Sequence, residues 1–211
     1  MADINLNIFD QLAKKKQDAL LAMFADRHVT IAACGDVFKN TISTLRDRGW
    51  KTHEPIWNAA LFLNTVSYDL SIGIIDLVYE RDLWKRRLIA RLMALLLFEI
   101  GEDIPTVFGK NFRAAAKALN VPEEHIAAVG AETKKFSVFW NENRSLLKEI
   151  RTVAAAHREH DAIALHESIN GIDLFKLIGL AVTVGGLANS LGSANQRILT
   201  SSSTTKPPEQ K

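Results

Sequence analysis

The stretch Ile150-Arg151-Thr152-Val153-Ala154-Ala155-Ala156-His157-Arg158-Glu159-His160-Asp161 gathers side chains that could act on a phosphodiester. Arginine stays charged and grips phosphate through a planar fork. Histidine, with an ordinary pKa near ~6.5, gives or takes a proton at neutral pH. Cleaving RNA without a metal needs a base for the 2′-hydroxyl, an acid for the leaving oxygen and a cation for the phosphorane charge. Arg151 and His157 are of the right types. Six positions along a straight helix, however, give a rise of about 9 Å and a rotation of about 240°, so the two do not sit side by side. A kink at the helix end, or a second subunit, has to bring them together. Ala154-Ala155-Ala156 suits the second solution, because small side chains let two helices approach closely. High helix propensity explains the same alanines equally well.

Plainer roles compete. Arg151 could pair with Glu149 or with an acid on a neighbouring helix, and His157 could sit at the negative end of a helix dipole. His157 and His160 are three apart, share a helix face and could reach one metal, with His166 close behind. Beside Glu159, Asp161 and Glu167 they read more simply as a solvated charged face, and no metal is expected. Spacing alone carries little weight. With 12 arginines and 6 histidines, about one match to R-x(4–6)-H arises by chance. Arg48-x4-His53 and Arg46-x6-His53 also match, in a turn region that reads as structural.

Other chemistry finds no motif. There is no G-x-G-x-x-G or G-x-x-x-x-G-K-[ST] phosphate loop, no G-x-S-x-G elbow and no H-E-x-x-H pair. No cofactor is expected. Glu99, Glu102 and Asp103 are expected to cap a helix starting near Ile104-Pro105. Lys14-Lys15-Lys16 and Trp84-Lys85-Arg86-Arg87 are basic runs. Trp84 fits an apolar stripe, so packing is its expected role rather than base stacking.

The elements that must position these residues are helices. Leu83, Trp84, Leu88, Leu92, Leu95 and Leu96 recur at helical spacing, as do Phe136, Phe139, Trp140, Leu146, Leu147 and Ile150. Strand-like alternation between tight turns is missing. The expected fold class is all-α, with helices near 4–48 (broken near Gly35), 55–80, 82–100, 109–119, 123–157 and 170–197. Pro55, Pro105 and Pro122 are expected in first helical turns. A single helical domain over 1–198 would be followed by a disordered polar tail over 199–211. The uncharged run Leu177 to Ala194 is close to the ~17-residue minimum of a membrane helix. Its four glycines and diluting polar residues favour a buried closing helix, so no membrane association is expected.

Composition bounds the rest. The chain has 211 residues, 47% hydrophobic and 24% charged, with 26 basic and 24 acidic side chains. That excludes bulk disorder and a broad nucleic-acid-coating surface. A small cleft doubled in a dimer remains compatible with a net charge of +2. Cys34 is the sole cysteine, which excludes an intrachain disulfide and suits a reducing, cytoplasmic setting.

The Ile-Arg, small apolar residues and Ala-His-Arg-Glu-His-Asp that close the long helix resemble the "IRN-x-x-AH-R-D" helix end of abortive-infection-type proteins of the HEPN superfamily. The stretch Ala90 to Leu119, ARLMALLLFEIGEDIPTVFGKNFRAAAKAL, resembles the same group. It reads as a helix, an acidic turn and a second helix opened by Gly-Lys-x-Phe-Arg. The resemblance implies an all-α, HEPN-like bundle of long antiparallel helices. It further implies a homodimer that pools two Arg/His pairs, and a metal-independent RNA endonuclease of a toxin or phage-defence type. Arg151 and His157 would be catalytic, with Arg144, Arg158 and His160 placed to dock RNA. An antitoxin or other regulatory protein is an implied partner. Thr152 stands where active members carry Asn, Asp or His, and Glu159 where toxin members often carry Tyr. Those departures keep a second expectation open: a catalytically degenerate scaffold that binds a protein or nucleotide. A membrane-active effector acting through 177–194 is the third.

Overall fold

The computed structural model describes residues 14–155 and 162–203. Among them there is no strand, and seven helices follow one another: α1 (Lys14–Asp47), α2 (Glu54–Tyr79), α3 (Leu83–Val107), α4 (Lys110–Ala118), α5 (Glu123–Ala155), α6 (Ala162–Asn170) and α7 (Leu174–Ser203). The fold class is all-α, as composition and periodicity imply.

The helix ends follow local chemistry. Pro55 sits in the first turn of α2, where its missing N–H costs nothing. Asp82 caps α3 by accepting a hydrogen bond from the Lys85 N–H at 2.8 Å, and Asp173 does the same for Lys176 at the start of α7 at 2.9 Å. Asn120 ends α4 with φ 53°, a left-handed conformation that asparagine tolerates. The Val121 N–H then bonds back to the Ala116 carbonyl and turns the chain into α5.

The core is built from α2, α3, α4, α5 and α7. α3 packs along α5, and α2 packs along α7. Phe108, Phe112, Phe136, Leu147 and Leu191 are among its fully buried side chains. Burying each large apolar side chain contributes about 1.5–3 kcal/mol, which is why these helices hold together despite modest intrinsic propensity. Among the described residues α1 contributes nothing to this cluster, although its Ile42 and Leu45 are buried. It lies against α2 and leaves Leu21, Met23, Val29 and Val37 exposed.

Several expectations are corrected. α1 is continuous through Gly35. A Cβ there would lie 2.9 Å from Asn64 Nδ2, and that amide donates to the Ile31 carbonyl at 3.0 Å. Gly35 thus admits the side chain of α2 and does not break the helix. α3 runs on to Val107 with Pro105 inside it, so the acidic segment is no turn and Pro105 opens no helix. The proline removes one bond near the helix end, while Ile104 and Phe108 beside it are fully buried.

The first four residues of the expected stripe, Leu83, Trp84, Leu88 and Leu92, are turned over, while Leu96 at its end packs against the core. These four residues are exposed, whereas Arg86, Ala90, Met93, Ala94 and Leu97 face inward. Arg86 is drawn in because its Nη2 donates to the carbonyl of Glu80, the C-cap of α2, placing a cation at the negative end of that helix. The second stripe, containing Phe136, Trp140, Leu147 and Ile150, does face the core.

α6 has no counterpart among the expected helices. α7 continues past residue 199, where a polar tail was expected, to Ser203. Its last hydroxyls bond back along the helix, Thr200 to the Gln196 carbonyl at 3.0 Å and Ser201 to that of Arg197 at 2.9 Å. Both α2 and α7 are long and apolar enough to cross a membrane by length and composition. In the fold, Leu177, Leu180, Val184, Ala188 and Leu191 of α7 are buried, as a closing core helix requires, and only Phe175 and Val182 are exposed large apolar residues on it.

Candidate functional site

α5 carries the arginines of the sequence-derived site. Glu123 and Glu124 in its first turn complement the positive helix end. Arg144 and Arg151 are seven residues, nearly two full turns, apart and therefore share a face, with Lys148 between them. α3 runs antiparallel along that face and presents Glu99 and Glu102. The result is a two-rung ladder across the α3–α5 seam. Arg151 Nη2 lies 3.0 Å from Glu99 Oε1, and Arg144 Nη2 lies 3.1 Å from Glu102 Oε1.

Each guanidinium also covers an aromatic ring. Arg151 Cζ is 4.5 Å from the Phe98 centroid, and Arg144 Cζ is 5.9 Å from that of Trp140. Phe98 and Trp140 meet edge to face, with centroids 5.0 Å apart. Gly101 makes this possible, since a Cβ there would fall 2.2 Å from the Trp140 ring. The Arg151 side chain keeps 41% of its surface exposed and the Arg144 side chain 55%. Ion pairs so exposed contribute about 0–1 kcal/mol each. Their effect is chiefly orientation: the ring below and the carboxylate beside fix the plane of each fork while one edge stays in water.

Glu99 and Glu102 are thus ladder partners, not caps, and Arg151 pairs with Glu99 on a neighbouring helix rather than with Glu149. Glu99, Glu102 and Phe98 are the neighbours that the sequence reading missed. Antiparallel α3–α5 packing alone puts them opposite the arginines, and only the (i, i+3) spacing of the two glutamates hints at it. Thr152 directs its hydroxyl to the Lys148 carbonyl at 2.8 Å and so offers no donor to a substrate. His157, Arg158 and His160 lie outside the described residues, as does Ala156.

The remaining histidines sit in structural contacts, His125 on α5 lying 3.2 Å from the Ser201 hydroxyl of α7. His166 on α6 stacks on the exposed Trp84 at 5.7 Å between centroids, and Asn170 Nδ2 lies 2.9 Å from its Nδ1. His53 is buried at the start of α2 against Trp50, with Arg48 over the same indole at 5.4 Å. The Arg48/His53 spacing is therefore structural, and Arg46 of the overlapping match pairs with Glu54 at 2.5 Å.

His28 on α1 and Ser71 on α2 meet at 2.7 Å, which has the look of a nucleophile and its base. Ser71 donates its hydroxyl to the Tyr68 carbonyl, leaving only a lone pair for His28 Nε2–H. Ser71 is also buried. The pair rivets α1 to α2 and is not set up for attack. Among the described residues, no three His, Cys, Asp or Glu side chains gather to hold a metal ion.

Set beside family models, curated proteins and solved structures, the chain matches none of them.

Proposed function

We propose that the chain is a HEPN-like, metal-independent RNA endonuclease of a toxin or phage-defence type that works as a homodimer. The observation that supports this reading most is Arg151 itself. It is a half-exposed arginine near the end of a long helix, its fork oriented by Glu99 and Phe98, and it precedes His157 by six positions. In this reading Arg151 steadies the phosphorane charge and His157 moves the proton. Arg144, held the same way one rung along, extends the phosphate-gripping face, with Arg158 and His160 as further docking residues. Glu99 is the counter-charge that an RNA phosphate displaces on binding.

The test is cleavage of a mixed RNA substrate in the presence of a chelator. Wild type is expected to cut, and Arg151→Ala and His157→Ala to lose about 10²-fold or more in rate with unchanged helical circular dichroism. Equal cleavage by all three proteins, or none by wild type, would sink the proposal.

A second reading, a degenerate scaffold binding a protein or nucleotide, is favoured by two details. Glu99 neutralises Arg151, and Thr152 spends its hydroxyl on the helix backbone. Wild type inert on RNA yet able to pull down a specific partner would select it. The membrane-active reading rests only on the length and apolar character of α7, whose large apolar side chains mostly face the core.

A further inference from the structure

A cleft of about 580 Å³ opens between α1, α2 and α7. It shares no lining residue with the α3–α5 seam. Phe38, Ala60, Leu63 and Ala188 form apolar wall, and Asn64, Ser193 and Asn195 supply polar groups. Among the described residues, no charged side chain lines it. This size and mixture suit a small-molecule site: a mainly apolar surface with a few placed hydrogen-bonding groups.

Asn195 is 1% exposed, and its Oδ1 has no hydrogen-bond partner among the described residues. An orphaned buried carbonyl is costly and marks a place where a partner is missing. Asn64 commits its Nδ2 to the Ile31 carbonyl, which leaves its own carbonyl oxygen for other use. Ser193 commits its hydroxyl hydrogen to the Asn189 carbonyl at 3.0 Å and keeps only lone pairs. The wall thus offers acceptors on Asn195, Asn64 and Ser193 beside amide and hydroxyl donors on Asn189, Gln196 and Ser67. An anion is disfavoured there, since no cationic side chain among the described residues lines the cleft.

We propose that this cleft binds an uncharged, nucleoside-sized ligand with a flat apolar or heteroaromatic body and N–H or O–H donors aimed at Asn195. Asparagine amides match the amine edge of a purine in this manner. The site is independent of the ribonuclease reading and stands or falls without it. Gly192 keeps it open. A Cβ there would meet only Leu63 Cδ1, at 4.0 Å, so a larger side chain fits the backbone and fills the cleft. Cys34, an exposed free thiol on the rim, is a built-in reporter.

The experiment titrates the full chain with adenosine and, separately, with adenosine monophosphate, reading calorimetry and the rate of Cys34 alkylation by iodoacetamide. Adenosine is expected to bind and to slow alkylation at least fivefold, and the monophosphate to bind at least tenfold more weakly. Asn195→Leu, which removes the orphan carbonyl at similar volume, should weaken adenosine at least tenfold. Should that variant fail to fold, Gly192→Leu fills the cleft and should abolish both signals. Absence of adenosine binding, equal affinity for the monophosphate, or undiminished binding by a folded Asn195→Leu or Gly192→Leu protein would each overturn the proposal.

Discussion

The α3–α5 seam and the α2–α7 cleft divide the polar capacity of this protein in opposite ways. The seam is charged, and the two arginines of its ladder are each matched by a carboxylate at 3.0–3.1 Å. Among the described residues the cleft has no charged lining, yet it holds an amide oxygen without a partner. Charge density therefore misleads as a guide to unmet binding capacity. Exposed charges are cheap to hold because water screens them. A buried neutral acceptor without a partner costs more than an exposed ion pair contributes.

The two regions differ as sharply in how their glycines are used, and this gives the largest expected effect. Gly101→Ala drives a Cβ into the Trp140 ring on which the seam is built. It should lower stability by about 3 kcal/mol, read as a fall in the urea midpoint at unchanged slope. A loss under 1 kcal/mol would show that Trp140 is free to move and that the ladder is not rigidly set.

Charge at the seam comes next. Under the ribonuclease reading, Glu99→Gln frees Arg151 for phosphate and should tighten binding of a short RNA about fivefold at low salt, with a steeper salt dependence. Identical binding and identical salt slope would make the ladder purely structural and narrow the contrast to architecture alone.

On the α2–α7 side, Gly186→Ala should instead stabilise by about 0.5–1 kcal/mol. Its position is helical and open, with nothing within 4 Å of an added Cβ, and alanine reduces the freedom of the unfolded chain. A thermal midpoint that falls in this variant would mean that α7 needs glycine there for a reason that packing does not show.

The smallest effect concerns pH. Asp69 on α2 is exposed as a residue, but partial burial of its carboxyl pushes the group above its ordinary value of 3.8. The folded state thus prefers the protonated form, and stability falls as pH rises through the raised value. Asp69→Asn should be slightly more stable than wild type at pH 7, and the difference should vanish below pH 3.8. A gap that persists at low pH would assign the effect to packing and not to ionisation.

Much of this was legible in the chain. Apolar residues at three- and four-residue spacing, with proline and acids at helix starts, determined an all-α protein and located α2, α4 and α5 to within a few residues. They also picked out Arg151 and Arg144 as chemically interesting. Where the reading failed, a local rule met a tertiary contact. Pro105 looked like a helix start, but burial of Ile104 and Phe108 carries α3 past it. Trp84 and Leu88 looked like core by spacing, yet Arg86 takes the inward face because the C-terminus of α2 needs a cation.

What the sequence determined by itself is what depends on neighbours along one helix: periodicity, caps and the face that seven-residue spacing gives to Arg144 and Arg151. Tertiary structure alone decided which acid each arginine meets, and that a cleft holding the Asn195 carbonyl, unpartnered among the described residues, lies between α1, α2 and α7. Glu99 and Arg151 are 52 positions apart, and Asn64 and Asn195 are farther still. Pairings across such distances are set by how whole helices bury their apolar faces, which no window of sequence contains.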